Sequence, residues 1–307
     1  MELHGARHIS GLEDFRFLLI WKEAVNRAMT QNEKRIEKGK VSIIVPVYNG
    51  KQYIESAIHS LLGEDFTNFE IIIVDDGSTD ETSNLIKKNF GSSILLVRKT
   101  NGGACSAINE GVRHSTGEYI AFCDQDDIWD STKLKKQVDY LESHPAVGMV
   151  YSDAFVIDEN GHRLGKTWME SRRVEYADGG YEECAMRLFE RNFICAPLVV
   201  MIRKSVIEEI GPFNERFSSA YDYEYWFRVL EGGVSIGFID EPLASWRTHG
   251  GQESGRVRKQ KRMMLGIWWE FFKRKPEFPL KHPFLVAKKV VRGWFGILLN
   301  RTAKVKY

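Results

Sequence analysis

Residues 41–50 read VSIIVPVYNG, a run of mostly β-branched residues that ends in a polar turn. Branched apolar side chains in a short run favour a buried strand. Similar runs follow at residues 70–74, 94–98 and 119–123, and the intervals carry helical patterns. Strands that alternate with helices in this way predict βαβ units and a mixed, mainly parallel α/β sheet flanked by helices.

The pattern becomes less regular beyond residue 127. Residues 147–157, 196–202 and 234–239 read as further strands, and residues 223–230 read as a helix. These segments predict a mixed continuation of the same sheet rather than a separate fold.

We expect three parts in the chain. Apolar residues at mostly helical spacing predict an N-terminal helical arm at residues 1–39. A single α/β domain follows at residues 40–255, with a first half at 40–127 and a second half at 128–255. Residues 256–307 combine apolar patches with basic residues, which predicts amphipathic helices added to the domain.

Charge is unevenly distributed along the chain. The whole sequence has 307 residues, with 43 Lys and Arg against 42 Asp and Glu. Residues 256–307 alone hold 15 basic residues against two glutamates, so the preceding body is acidic. A basic amphipathic tail fits an anionic membrane surface, and it equally fits a solvated face packed on the domain or a contact between subunits. An acidic body disfavours nucleic acid as a partner.

We find no export or membrane-spanning pattern in the sequence. The N-terminus lacks a basic start followed by an apolar run, and no stretch reaches about 18 consecutive apolar residues. The four cysteines form no CxxC pair and no metal-ligand spacing, which predicts reduced thiols. We therefore expect a cytoplasmic protein whose membrane contact, if any, is peripheral and on the inner face.

Polar residues follow three of the predicted strands. The first strand runs into Tyr48-Asn49-Gly50, the second into residues 75–80, and the fourth into residues 124–127, which read DQDD. Ligands of open α/β sheets bind at the carboxyl ends of the strands. The three strand ends therefore predict one acidic cleft.

The residues of this cleft exclude two common nucleotide sites. Residues 46–50 contain neither the GxGxxG motif of dinucleotide folds nor the start of a GxxxxGKS/T phosphate loop. Carboxylates at Asp124 and Asp126 suit Mg²⁺ or Mn²⁺, and such an ion can bridge a diphosphate. Asp80 and Asp130 are equally well explained as helix caps.

Four segments carry a family resemblance. Residues 45–49, 74–80, 101–111 and 124–127 resemble, in order and spacing, the successive motifs of family 2 glycosyltransferases. The resemblance implies the GT-A fold in a single domain. It also implies an inverting transfer from a nucleotide-sugar donor, with a divalent metal, Mn²⁺ or Mg²⁺, as cofactor.

The resemblance also assigns roles to individual residues. It places six residues at the donor nucleotide: Pro46, Tyr48, Asn49, Asp76, Gly103 and Asp124. It places Asp126 on the metal ion and His249, after the last strand, on the metal or the diphosphate. Arg247 is suited to pair with phosphate oxygens. Gly103 is also explained as part of an ordinary turn, and a solitary histidine is often structural.

The resemblance locates the catalytic base in an acidic pair ahead of an aromatic-rich helix. Family members carry Glu-Asp there, whereas this chain has Tyr221-Asp222. We predict that Asp222 takes the proton of the acceptor, with Glu224 in reserve. Asp222 is also suited to cap the helix, and the two roles are compatible. Asp127, Trp129 and Glu224 are further candidates for contacts with the diphosphate or the acceptor.

The resemblance thus implies an inverting, metal-dependent hexosyl- or deoxyhexosyltransferase of surface polysaccharide synthesis. Candidate donors are UDP-sugars and dTDP-rhamnose, the latter because residues 124–129 look like the variant of rhamnosyltransferase-like members. The acceptor would be a hydroxyl of a glycan or lipid-linked oligosaccharide. A sugar nucleotidyltransferase and a non-catalytic carbohydrate-binding protein on the same fold are the alternatives. Residues 46–50 lack the glycine-rich loop of the former, and the acidic cleft argues against the latter.

Overall fold

The computed structural model of the chain describes residues 36–250 and 257–299. Residues 1–35 of the predicted N-terminal arm lie outside these ranges, as do the last eight residues of the tail. In the described part, nine strands form one mixed sheet, and eleven α-helices accompany it.

The element bounds follow the chain in order. The strands are β1 (Glu37–Val47), β2 (Phe69–Asp75), β3 (Leu95–Arg98), β4 (Gly117–Phe122), β5 (Ile128–Trp129), β6 (Val147–Ile157), β7 (Arg163–Thr167), β8 (Val200–Arg203) and β9 (Ser235–Arg247). The helices are α1 (Ile54–Leu62), α2 (Thr82–Phe90), α3 (Ala104–His114), α4 (Lys133–Ser143), α5 (Trp168–Arg172), α6 (Tyr181–Glu190), α7 (Lys204–Ile210), α8 (Tyr221–Glu231), α9 (Val257–Arg274), α10 (Glu277–Lys281) and α11 (Pro283–Leu299).

The sheet has the strand order β3-β2-β1-β4-β8-β6-β9-β5, with β7 paired to β6. The pairings among β1 to β4 are parallel, as the βαβ pattern predicts. The second half is antiparallel where β8 joins β4 and β6, and parallel again between β6 and β9. The predicted mixed α/β fold is confirmed, with its parallel part concentrated in the first half.

The register of the first strands aligns their carboxyl ends. Val47 at the end of β1 lies opposite Asp75 at the end of β2, and Ile44 lies opposite Phe122 at the end of β4. The middle of β1 is fully buried, because helices and neighbouring strands cover a central parallel strand. The loops that follow the three strands therefore begin at one edge of the sheet.

Several bounds differ from the sequence-based prediction. Strand β1 begins at Glu37, four residues before residue 41, where the side chains of Lys40 and Glu37 pair at 2.9 Å. The predicted strand at residues 196–202 starts instead as a 3-10 turn over Pro197–Val199, because proline has no N–H to give to a ladder. The short strands β5 and β7 were not predicted.

The described part of the C-terminal tail is helical, as predicted, and one face of it packs on the domain. In α9, Ile267, Trp268 and Phe271 are buried. The ring of Phe271 stacks on Phe227 of α8 with centroids 4.3 Å apart. Trp268 Nε1 donates a hydrogen bond to the hydroxyl of Tyr223 at 3.2 Å. Helix α9 therefore supports the helix that carries Asp222.

No helix within residues 36–250 and 257–299 is both long enough and apolar enough to cross a bilayer.

Candidate functional site

The loop after β1 connects the other two loops of the cleft. Asn49 adopts a positive φ of 49°, which asparagine tolerates better than most residues. Its Oδ1 accepts a hydrogen bond from the backbone N–H of Thr79 at 2.9 Å, and its own N–H donates to Ser78 Oγ at 2.9 Å. The N–H of Tyr48 donates to Gln125 Oε1 at 2.9 Å. The Tyr48 side chain remains 46% exposed at the edge of the cleft.

The loop after β2 is anchored through Asp76. Its carboxylate accepts hydrogen bonds from the N–H groups of Gly102 and Gly103, at 2.9 and 2.7 Å, and from Lys99 Nζ at 2.8 Å. Gly103 has a φ of 87° and directly precedes α3, so a residue with a Cβ would be strained there. Asp76 thus fixes the start of α3.

The turn after β4 is held by Arg247 at the end of β9. The N–H of Arg247 donates to Asp127 Oδ1 at 2.8 Å, and its Nε donates to the carbonyl oxygen of Asp126 at 2.6 Å. Its Nη1 reaches the carbonyl oxygens of Asp158 and Glu159. Arg247 and Asp127 are both buried. These contacts make the two residues a clamp on the turn rather than open phosphate contacts.

Asp126 and His249 come together although 123 residues separate them. His249 Nε2 lies 2.8 Å from Asp126 Oδ2, and each side chain keeps about a sixth of its surface exposed, 17% and 16%. The His249 ring also lies against Tyr53, with centroids 5.0 Å apart. The structure therefore pairs the two residues that the sequence predicts as metal ligands.

The donor set of this pair fits a divalent cation. One carboxylate oxygen and one imidazole nitrogen are ligands that Mn²⁺ accepts, and Mg²⁺ is commonly held by one or two protein groups together with substrate phosphates. Within residues 36–250 and 257–299, no cluster of three or more His, Cys, Asp or Glu side chains is arranged to hold a metal. An ion at Asp126 and His249 would complete its coordination with ligands from a diphosphate and water.

Like charges crowd the turn after β4. Burial raises the pKa of Asp124 to about 7, with smaller contributions in the same direction from the carboxylates of Asp126 and Asp222. Burial also raises the pKa of Asp127 well above its usual range, with Arg247 opposing the shift. A cation in the cleft would relieve this repulsion.

Asp222 lies in the first turn of α8, directly after Ala220 and Tyr221. Ala220 takes the left-handed conformation with a φ of 57°, which turns the chain sharply into the helix. Burial raises the pKa of Asp222 to about 6, against the effect of the N–H groups of Asp222 and Tyr223. Asp222 contributes to the raised pKa of Asp124, so the two carboxylates share the cleft.

Two predicted contact residues lie away from the open cleft. Glu224 is fully buried, and both of its oxygens accept from Arg228 Nε at 3.1 Å, with Arg274 of α9 at 3.6 Å. Trp129 is 4% exposed, and the ammonium of Lys133 lies 3.7 Å from the centre of its ring. Both side chains stabilise the packing around the site.

Pro46 is the last of the predicted residues, and three residues that were not predicted also belong to the site. Pro46 lies partly buried in β1, opposite Val74 of β2. Sequence reasoning missed Tyr53, Lys99 and Gln125. Lys99 had a usable signal, because it follows the third predicted strand and is a cation beside acidic loops. Tyr53 directly precedes α1, and nothing in the neighbouring sequence predicts its contact with His249.

The chain is similar to known proteins over most of its length. The model of the family described as "Glycosyl transferase family 2" matches residues 42–211. An uncharacterized glycosyltransferase of Rickettsia typhi is 31% identical over 236 residues, which are 76% of this chain and 72% of that protein. The putative teichuronic acid biosynthesis glycosyltransferase TuaG of Bacillus subtilis is 30% identical, over 68% of this chain and 79% of its own length.

A further relative has a more specific name. The Escherichia coli protein WfaP, named a UDP-Glc:alpha-D-GlcNAc-diphosphoundecaprenol beta-1,3-glucosyltransferase, is 29% identical over 72% of this chain and 82% of its own length.

Solved structures share the fold at lower identity. Staphylococcus aureus TarS in complex with UDP superposes with a TM-score of 0.59 and 23% identity, over 76% of this chain and 65% of that one. The mannosyltransferase PcManGT of Pyrobaculum calidifontis, in complex with GDP-Man and Mn²⁺, superposes with a TM-score of 0.59 and 18% identity. That match covers 92% of this chain and 80% of the other. At these identities the likeness supports the fold alone.

Proposed function

This chain belongs to glycosyl transferase family 2, and on that premise we propose that it transfers a sugar, with inversion, from a nucleotide-diphosphate donor to a hydroxyl of a glycan or lipid-linked oligosaccharide. The observation that carries the proposal is the meeting of Asp126 and His249 at 2.8 Å in the cleft that also contains Asp222. Relatives named for teichuronic acid and diphosphoundecaprenol-linked glycan synthesis support a role in surface polysaccharide synthesis.

The donor nucleotide would lie over the loops after β1 and β2. The exposed ring of Tyr48 offers a face for the base, and the loop around Asn49 is held by Ser78 and Thr79. Asp76 would act through the loop that it anchors, since its oxygens already accept from Lys99 and the backbone before α3. UDP-sugars are the first candidates, because WfaP is named for UDP-Glc, and dTDP-rhamnose is the second.

Asp126 and His249 would hold the divalent ion beside the diphosphate. When bound, the ion would supply positive charge that stabilises the departing nucleoside diphosphate. Arg247 fixes the backbone of Asp126, so it would orient the carboxylate rather than contact phosphate directly.

Asp222 would accept the proton of the acceptor hydroxyl. A pKa of about 6 leaves the carboxylate ionised at neutral pH and makes it a stronger base than an ordinary aspartate. Its place in the first turn of α8, supported by Trp268 through Tyr223, keeps it on a rigid element.

The exposed face of α11 would bring the enzyme to a membrane-bound acceptor. Phe284 is 89% exposed and Val291 50% exposed, and Lys288 and Arg292 lie on the same helical face. This mixture of apolar and basic side chains favours an anionic bilayer. WfaP, whose named acceptor is a polyprenol-linked sugar, supports such a location.

Vesicle sedimentation tests the membrane contact. We expect the full chain to bind vesicles that contain phosphatidylglycerol, to release at high salt, and to ignore pure phosphatidylcholine. The double change Phe284→Ala and Arg292→Glu should abolish binding, whereas Leu164→Ala, which removes an exposed leucine on β7, should not. Equal binding by the double variant would refute this surface.

A donor panel tests the proposed reaction. The protein is mixed with Mn²⁺, a polyprenyl-diphosphate-linked N-acetylglucosamine and one of UDP-glucose, UDP-N-acetylglucosamine, dTDP-rhamnose or GDP-mannose. We expect release of a nucleoside diphosphate from one donor, and a product whose anomeric configuration, read by NMR, is opposite to that of the donor. Release of pyrophosphate from a nucleoside triphosphate and a sugar phosphate would instead indicate a nucleotidyltransferase.

A further inference from the structure

A second concavity lies outside the acidic cleft. It has a volume of about 1070 Å³ and is bordered by β6, the end of β7, β9, α5, α6 and the segment at residues 173–178 that joins α5 to α6. Its size lies at the upper limit of sites that bind small organic ligands. None of the residues that carry the donor or the metal lines it.

The wall of this groove contains a fixed aromatic platform. The ring of Tyr176 stacks on Phe238 with centroids 4.5 Å apart and planes 14° apart, and Phe238 in turn lies 5.0 Å from Tyr151. The Tyr151 hydroxyl bonds to both the N–H and the carbonyl of Ala177, which holds the segment in place. Tyr176 nevertheless remains 48% exposed. A rigid, half-exposed ring is suited to stack against the apolar face of a sugar.

The charge of the groove selects the type of sugar. Seven carboxylates line it: Asp153, Glu170, Glu175, Asp178, Glu183, Asp240 and Glu241. Only two guanidinium groups do so, those of Arg173 and Arg187, and Arg187 is bonded to the carbonyl of Tyr176. Lys136 pairs with Glu241 at the margin. Carboxylates accept hydrogen bonds from sugar hydroxyls and amines but repel uronate and phosphate groups.

The groove and the catalytic cleft lie along the same two strands. Strands β6 and β9 run in parallel register from Asp153 and Pro242, which line the groove, to Ile157 and Arg247 at the cleft. Four residues of strand separate the two places along β6, which is roughly 13 Å. A chain of a few sugar residues is therefore long enough to extend from the groove to the turn that Arg247 holds.

We propose that this groove is an acceptor subsite that binds the neutral or amine-bearing sugar residues behind the acceptor hydroxyl. The proposal rests on the proposed glycosyltransferase function and specifies its substrate class. Tyr176 provides the stacking surface, and the surrounding carboxylates exclude anionic glycans. The groove thereby selects the growing chain by composition, whereas the cleft selects the donor.

Binding of defined oligosaccharides tests the proposal without the natural acceptor. The probes are penta-N-acetylchitopentaose, cellopentaose, the fully deacetylated chitopentaose and pentagalacturonate, measured by isothermal titration calorimetry on the full chain. We expect at least one neutral or cationic pentasaccharide to bind, and pentagalacturonate not to bind. Tyr176→Ala should weaken that binding by roughly three- to tenfold. Trp269→Ala, which removes a 62% exposed ring elsewhere, should leave it unchanged.

Charge reversal provides the second variant. Glu175 and Asp178 are exposed, so replacing both by lysine is compatible with folding. We expect Glu175→Lys with Asp178→Lys to gain affinity for pentagalacturonate. Failure of every probe to bind, equal binding of pentagalacturonate by the unaltered chain, or an unchanged affinity in Tyr176→Ala would each overturn the proposal.

The donor site is measured in the same samples. Binding of UDP with Mn²⁺ should be the same in Tyr176→Ala and in the unaltered chain, because the groove lies outside the cleft. If Tyr176→Ala loses saccharide binding and keeps nucleotide binding, the change has affected the groove and not the donor site. Absence of nucleotide binding in the unaltered chain would count against the proposed function, independently of the groove.

Discussion

The loops of the first half of the chain and the helix of the second half meet at one cleft, but their carboxylates are held in different ways. In the first half, Asp76 accepts from Lys99 and two backbone N–H groups, so it serves to fix a loop. In the second half, Asp222 is desolvated, and the N–H groups at the start of its own helix only partly offset that effect. The difference indicates that Asp76 of the first half fixes a loop, whereas Asp222 of the second half is suited to accept a proton.

The turn at the end of the first half combines both properties. Asp127 is clamped by Arg247, whereas Asp126 faces His249 and keeps some solvent contact. Asp127, which fixes the turn, and Asp126, which we propose as a metal ligand, are thus neighbours in sequence.

The comparison predicts that Asp222→Asn has the largest effect. Loss of a general base should lower the transfer rate by about 10²–10⁴-fold, with donor affinity unchanged, because the donor loops do not depend on Asp222. The rate is measured as release of nucleoside diphosphate with the best donor of the panel. Asp139→Asn, at an exposed position on α4, is the matched control. A normal rate in Asp222→Asn would refute the assignment of the base.

A smaller effect is expected for His249→Ala. Removing one of two protein ligands should weaken nucleoside diphosphate binding in Mn²⁺ by roughly 10–100-fold and leave binding in EDTA unchanged. Isothermal titration calorimetry measures both conditions, and His144→Ala, at an exposed histidine after α4, serves as control. An equal loss in EDTA would mean that His249 supports the fold of the cleft rather than a metal.

Asp76→Asn tests whether Asp76 fixes the loop before α3. The change leaves Lys99 without its charged partner and weakens the bonds to the loop before α3, so we expect a loss of about 2–3 kcal/mol in the free energy of unfolding. Urea unfolding measures it, with Glu81→Gln at an exposed position as control. Unchanged stability together with lost donor binding would show that Asp76 contacts the nucleotide directly.

The pH dependence of stability gives the smallest expected effect. Because the folded pKa of Asp222 is raised to about 6, the folded state binds its proton more tightly than the unfolded state, and stability falls as pH rises from about 4 to 6. The amide of an asparagine does not ionise, so Asp222→Asn should be more stable than the unaltered chain at pH 8, by about 1–2 kcal/mol. Urea unfolding at a series of pH values measures the difference, which should vanish below about pH 4. Lower stability of the variant at pH 8 would contradict a desolvated carboxylate.

Local sequence patterns predicted the parts of the fold that depend on neighbours in the chain. The alternation of strand and helix patterns predicted β1 to β4, and the polar strand ends predicted the cleft with Asp124 and Asp126. Contacts across long separations had no such pattern. Glu224 was predicted to be available, but in the structure it is buried and pairs with the distant Arg274 of α9 as well as with the nearby Arg228.

The pairing of Asp126 with His249 was reached in another way. The polar end of the fourth predicted strand pointed to Asp126, whereas only the family resemblance pointed to His249. Strands β5 and β9 bring them together, because Ile128 pairs with Ser245 and Trp129 with Ala244 in an antiparallel register that no local pattern of the sequence specifies.

Calorimetric titration of UDP, dTDP and GDP, each with Mn²⁺ and again with EDTA, tests the central claim most directly. The unaltered chain should bind one nucleoside diphosphate selectively and only with the metal, and Asp126→Ala should lose that metal-dependent binding while its melting temperature stays within a few degrees. Binding that is indifferent to Mn²⁺, or that persists unchanged in Asp126→Ala, would contradict a metal-bridged diphosphate in this cleft.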